Sequence, residues 1–327
     1  MNNKEIKIYR SPLFYVGDKY KLLPKISKYF PDDIERFIEP FTGGGSVFLN
    51  IKAEQYLLND IDQNVVNIHS YLVKQSENPE LFLKQVKKVI KKYGLSRSYE
   101  EDIVPSELKA QWKKTYYAKF NKEGFNKLKE KYNSTSKKDI LELYVLLIYG
   151  FNRMLRFNKK GEYNLPVGNV DFNKNVLTSL QEYFSTTNKR DIRLFNLDFT
   201  DFLDSIDYQK NDFVYLDPPY LITFSEYNKL WNDENEQKLI NFLEKLNEKN
   251  IKFAISNVTH YKGKTNKIFL EWSKKYHSYN IKSNYISYHD NTNKVFNEVL
   301  VTNFKKNDKS ILKEKQGSKL KLLEIQS

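Results

Sequence analysis

The sequence predicts an α/β protein: a largely parallel sheet, with a helical region placed between its two halves. Three observations carry this. Short apolar runs alternate with helix-like text near both ends of the chain. A glycine-rich turn follows the first clear apolar run, and residues from about 67 to 190 change to a Lys- and Tyr-rich, helical texture. Strands alternating with helices imply parallel pairing, because a parallel connection needs a crossover element.

Taken in order, the first informative element is "RFIEPFTGGGSVFLNI". A short strand around Phe37 and Ile38 leads into Glu39, Pro40, Phe41, Thr42 and then Gly43, Gly44 and Gly45, before an apolar stretch that opens a helix. Three glycines at a strand-to-helix turn permit positive φ and let a ligand approach the backbone. In an open α/β sheet that turn lies at the carboxyl edge, where ligands bind. It is neither G-x-G-x-x-G nor a P-loop, so a dinucleotide and ATP both match poorly. Glycines required only for tight packing are the competing reading of this motif alone. Next, "QYLLNDID" is an apolar run ending at Asp60. A carboxylate there is placed to accept from ribose hydroxyls, although an isolated Asp in that position is more often a cap or turn residue. Together the two elements describe a nucleoside-containing cofactor whose tail is not a pyrophosphate.

In the middle region, "ELFLKQVKKVIKKYG" sets Leu81, Phe82, Val86, Val89 and Ile90 on one helical face with lysines opposite. "ILELYVLLIYGFNRMLRF" reads as a second, very apolar helical run, and "FNKKGEYN" as a turn at Lys160 and Gly161. Strands resume in "DIRLFNLDF", "DFVYLDPPY", "IKFAISN" and "NEVLVTNF". A helix over 234–250 separates two of them, with Asp233 as its cap. The polar text after Phe304 is expected to be loosely held.

"VYLDPPYL" stands apart. An apolar strand runs straight into a carboxylate, two prolines and an aromatic ring. Pro218 and Pro219 have fixed φ and no N–H, so the loop is stiff and its carbonyls are acceptors. Asp217 and a neighbouring carbonyl give two acceptors for one –NH₂ group, and Tyr220 offers a ring face for the base that carries it. That is a pocket for an exocyclic amine. A strand merely ending in a proline turn leaves Asp217 and Tyr220 unexplained.

Composition narrows the classes. With no cysteine there is no disulfide, thiolate metal site or cysteine nucleophile, and the four histidines show no ligand spacing, so no metal is expected. No window of 18 apolar residues and no signal-like leader is seen, so no membrane segment is expected and the cytoplasm is the default location. A net charge of +13 favours a polyanionic partner, or is a solubility bias of a Lys-rich chain.

These residues add up to a resemblance. The chain resembles the Dam-like (D12 class) S-adenosylmethionine-dependent DNA adenine-N6 methyltransferases, of the type II restriction–modification kind, over roughly residues 10–304. It rests on "DPPY" at 217–220, "EPFTGGGS" at 39–46, "YVGDK" at 15–19 and "FNRMLRFNKKGEYNLPVG" at 151–168. Asp18 departs from the family pattern, which commonly has two glycines before the lysine. The resemblance implies a Rossmann-like methyltransferase mixed sheet with helices on both faces, plus a mainly helical target-recognition domain. Residues 1–66 and 191–304 would form the catalytic domain, 67–190 the recognition domain, and 305–327 a polar tail.

It further implies S-adenosyl-L-methionine as cofactor. Tyr15, Lys19, Glu39, Pro40, Phe41 and the Gly43–Gly45 turn would surround it, Asp60 would hold its ribose, and Asp198 and Phe199 would bracket its adenine. Asp217, Pro218, Pro219 and Tyr220 would form the catalytic pocket, with Asp217 also bordering the cofactor. Double-stranded DNA would be the substrate, with a flipped adenine in a short motif such as GATC or CATG. Arg153, Arg156 and Asn158 are candidates to read bases, and Lys159 and Lys160 to contact phosphates. A monomer is expected, alongside a restriction endonuclease in the same system without stable contact. Competing readings are methylation of another amine, for which Asn or Ser more commonly opens the motif, and a DNA-binding relative without catalysis.

Overall fold

The computed structural model describes residues 7–224, 231–281 and 296–306. Within them eight strands form one sheet: β1 (Arg36–Glu39), β2 (Gln55–Asn59), β3 (Asp191–Phe195), β4 (Asp212–Leu216), β5 (Lys252–Tyr261), β6 (Lys264–Thr265), β7 (His277–Ile281) and β8 (Phe296–Thr302). The order is β3-β2-β1-β4-β5-β8-β7, with β6 paired to β5 alone. β3, β2, β1, β4 and β5 are parallel, while β8 runs antiparallel to β5 and β7 antiparallel to β8. The sheet is therefore mixed, as expected of a Rossmann-like methyltransferase.

Both faces are covered, which is why the central strands read as continuous apolar runs. Successive residues alternate between two cores. Phe37, Tyr56, Leu58, Phe213 and Tyr215 face one; Ile38, Leu57, Val214, Leu216 and Ile255 face the other. The first core is continuous with the helices between β2 and β3, taking in Phe82 and Val86 of the helix Pro79–Lys92 and Leu143 to Tyr149 of the helix Ile140–Tyr149. The helical region therefore shares its core with one sheet face. The second core lies under the helices Phe199–Asp204, Asp233–Glu248 and Lys267–Ser273.

Three local expectations are corrected. Leu81 is 47% exposed, so the buried stripe of its helix is Phe82, Val86 and Ile90. The apolar run from Ile140 stops as a helix at Tyr149, because Gly150 is extended and Asn152 and Arg153 take left-handed backbone. Asn232, whose side chain accepts from the Asn235 N–H, caps the helix that Asp233 begins. The tail from 307 and residues 225–230 lie outside the described residues. None of the described helices is long and apolar enough to cross a membrane.

Candidate active site

The strand order reverses direction between β1 and β4, and in open α/β sheets the ligand crevice lies at the carboxyl ends of such a pair. The glycine turn leaves β1 and Asp217 leaves β4, so the two motifs, far apart in sequence, meet at this edge.

The turn is built for close approach. Gly43 and Gly45 have φ of +48° and +72°, and Gly45 leads into the helix Ser46–Asn50. A Cβ on Gly44 would stand 2.6 Å from Tyr15 Cβ, so Tyr15 lies directly on the turn. Asp60 holds the turn from β2: Oδ2 accepts from the Gly43 N–H at 2.7 Å and Oδ1 from the Asp62 N–H at 2.9 Å. Burial pushes its carboxyl up to about 6. Glu39 is buried, and its Oε2 has no hydrogen-bond partner. Burial first, then the Asp217 charge, pushes its carboxyl well above the usual range. An orphaned buried carboxyl oxygen beside a bare glycine turn fits a ligand that brings a cationic or hydroxyl donor.

His69, which sequence reading left without a role, braces this turn from behind. Its Nε2 lies 2.9 Å from the Gly43 carbonyl and its Nδ1 3.1 Å from the Tyr183 hydroxyl. Burial holds the imidazole down at about 4. The neutral ring thus donates to Gly43 and accepts from Tyr183.

At the end of β4, Asp217 is gripped at both oxygens. Lys19 Nζ donates to Oδ2 at 2.6 Å, and the Tyr220 hydroxyl donates to Oδ1 at 3.0 Å. Lys19 is itself buried, with its ammonium 5.1 Å from the Tyr220 ring centroid. A second carboxylate completes the cluster. Glu298 of β8, 3% exposed, lies 3.1 Å from the Tyr220 hydroxyl and 3.7 Å from Lys19 Nζ. Burial and the two carboxylates push the Tyr220 phenol up, so it remains a donor. Glu298 was missed, yet its signal is close to that of Asp217: a carboxylate set against an apolar run, here within β8 rather than just past the end of β4.

Phe41, two residues before the turn, packs tilted against Phe199 with ring centroids 5.4 Å apart, and Trp231 lies 5.7 and 5.3 Å from them. Trp231 was not anticipated. Its indole N–H donates to buried Glu236, which also accepts from Asn257 and Asn266. Asp198 accepts from Thr200 and caps the helix opened by Phe199. The Pro40 carbonyl accepts from Asn59. Asp18 accepts from the Tyr20 N–H, which starts the turn into the following helix.

None of the residues 153–160 contributes a hydrogen bond to this cluster among those described. Phe157 and Tyr163 pair across a hairpin whose turn places Gly161 at φ +75°. Arg156 hydrogen-bonds Asn164, while Asn158 binds Glu162 and the Lys160 N–H. Lys159 and Lys160 are exposed. Arg153 is packed on Phe14.

The D12 class N6 adenine-specific DNA methyltransferase family matches residues 15–286. The chain belongs to that family. It is similar to the modification methylase StsI of Streptococcus sanguinis, at 33% identity over 94% of this chain and 45% of that protein. The type II methyltransferase M.FokI of Planomicrobium okeanokoites is 35% identical over 93% of this chain and 45% of its own length. The DNA adenine methylase of Escherichia coli K12 is 27% identical over 77% of this chain and 82% of its own. The D12-class chain thus spans about half the length of the first two relatives.

Proposed function

We propose that the chain is a site-specific DNA adenine-N6 methyltransferase of a restriction–modification system, working on a flipped base with S-adenosyl-L-methionine. The observation that carries this is the junction of Asp217, Tyr220 and Lys19 with the bare glycine turn at one sheet edge. Glu39, Tyr15 and the Gly43–Gly45 turn would hold the methionine part of the cofactor. Asp60 would hold the ribose, and Phe41 and Phe199, with Asp198 beside them, the adenine. When bound, this cofactor supplies a methyl group already activated by a sulfonium charge.

The chain then has to position and polarise a poor nucleophile. Asp217 and the Pro218 carbonyl accept from the N6 amine, drawing its lone pair out of conjugation with the ring. Lys19 and Tyr220 keep the Asp217 carboxylate in one orientation. Pro219 stiffens the loop, and the Tyr220 ring stacks on the flipped base. Arg156, Asn158, Lys159 and Lys160 are proposed DNA contacts, the lysines to phosphate.

The test is long-read, modification-sensitive sequencing of DNA from a methylation-free host expressing the chain or its Asp217→Ala variant. N6-methyladenine at one short motif with the first alone is expected. Unmodified DNA from a folded chain that binds S-adenosylmethionine would overturn the choice of substrate; methylation by the variant would overturn the role of Asp217.

A further inference from the structure

Two guanidinium groups pack on one ring, Phe14, at the seam between the segment before the glycine turn and the basic loop. The guanidinium carbon of Arg153 lies 4.0 Å from the Phe14 ring centroid, and that of Arg10 4.6 Å from the same ring. Arg10 is also 5.5 Å from the Tyr20 ring. The Nε of each arginine is buried with no hydrogen-bond partner. Asp18 lies near Arg10 and Asp171 near Arg153, but the hydrogen bonds they accept come from the Tyr20 N–H and from the Ser98 N–H and hydroxyl.

Like charges crowded onto one ring repel, and burying their donors without acceptors costs free energy. Burial, with Arg10 adding to it, holds Arg153 down at about 10. The backbone here is strained too. Phe14, Asn152 and Arg153 all have left-handed φ, at 50°, 53° and 50°, a conformation costly for residues with a Cβ. Stacking on Phe14 holds the two guanidiniums but leaves both Nε donors without an acceptor. An oxyanion held by these arginines would supply acceptors, since each guanidinium presents a fork of donors matched to phosphate.

We propose that Arg10 and Arg153 form a cradle for a phosphodiester group of the DNA backbone. This rests on the proposed reading of the chain as a DNA methyltransferase. Arg153 shares its loop with Arg156, Lys159 and Lys160, while Arg10 lies five residues before Tyr15, which covers the glycine turn. A phosphate held here is tied at once to the basic loop and to the catalytic edge. Arg153 therefore anchors the strand and reads no base. The other source of an oxyanion is the cofactor carboxylate, which the test separates.

The experiment measures binding of fluorescent duplexes, with and without the target motif, across a series of salt concentrations. It compares the whole chain with its Arg10→Gln, Arg153→Gln, Arg153→Lys and Arg156→Gln variants. Each Gln variant in the cradle should weaken both duplexes alike and lower the slope of log affinity against log salt by about 1. Arg153→Lys should keep most of that slope, and S-adenosylmethionine affinity should be unchanged. An unaltered slope overturns the cradle, as does a loss confined to the target duplex. Weakened cofactor binding with an unaltered slope assigns the oxyanion to the cofactor instead. Failure of the unaltered chain to bind any duplex defeats the functional reading itself. If Arg153→Gln does not fold, Arg10→Gln and Arg153→Lys still decide.

Discussion

His69 gives a prediction that can be worked through from its environment. The ring is buried between the Gly43 carbonyl and the Tyr183 hydroxyl, and its folded-state value is held down at about 4 against an ordinary 6.5. A depressed histidine contributes stability above the unfolded value and loses it as pH falls towards the folded one. Between pH 7.5 and 5 the unfolded chain takes up a proton that the native ring refuses, so this group alone removes about 2 kcal/mol of stability. His69→Gln stays neutral throughout and lacks this contribution. Urea unfolding at both pH values should show the gap between the two proteins narrowing by about 2 kcal/mol at pH 5. Asp60 titrates in the same range with the opposite sign: its raised carboxyl loses stability as pH rises through about 6. The difference between the two proteins cancels that contribution. A gap that stays constant with pH would refute the claim that His69 is held neutral behind the turn.

Two further outcomes follow from the site. Gly44→Ala places a Cβ 2.6 Å from Tyr15 Cβ, too close for any rotamer change to relieve, so the turn must shift. Equilibrium dialysis should show S-adenosylmethionine affinity falling about tenfold, near 1.4 kcal/mol, in a folded chain; full affinity would remove the turn from the cofactor site. Glu236→Gln sets an amide against the three donors of Trp231, Asn257 and Asn266. Thermal unfolding should register a loss of about 1–3 kcal/mol, with KM for the cofactor raised and kcat kept, as Trp231 loosens from Phe41 and Phe199. A fall in kcat with KM unchanged would show that Trp231 does not serve the cofactor wall.

The sheet was legible because its strands are covered on both faces. Apolar runs such as "DFVYL" have no solvent side to interrupt them, and "TGGGS" and "DPPY" mark where two of them end. The same text singled out Asp217 and Tyr220, because a carboxylate and a ring together after a buried strand have no packing reason to be there; Asp60 drew notice only through its register after the glycine turn, and Glu39 only through the family resemblance. Local order could not say which strand ends meet. Lys19 and Asp217 are 198 residues apart and touch because the segment of Tyr15 and Asp18 lies on the glycine turn after β1, and β1 and β4 are neighbours where strand order reverses. Glu298 joins them only because β8 runs antiparallel against β5, and His69 braces Gly43 only because its helix packs behind the turn. Arg153 read as a candidate to contact a base; the left-handed backbone after Gly150 turns it inward onto Phe14, which Arg10 shares. Composition and periodicity record what each segment can bury. Which charges end up sharing one low-dielectric pocket is decided by the strand order and by the crossings of the helices.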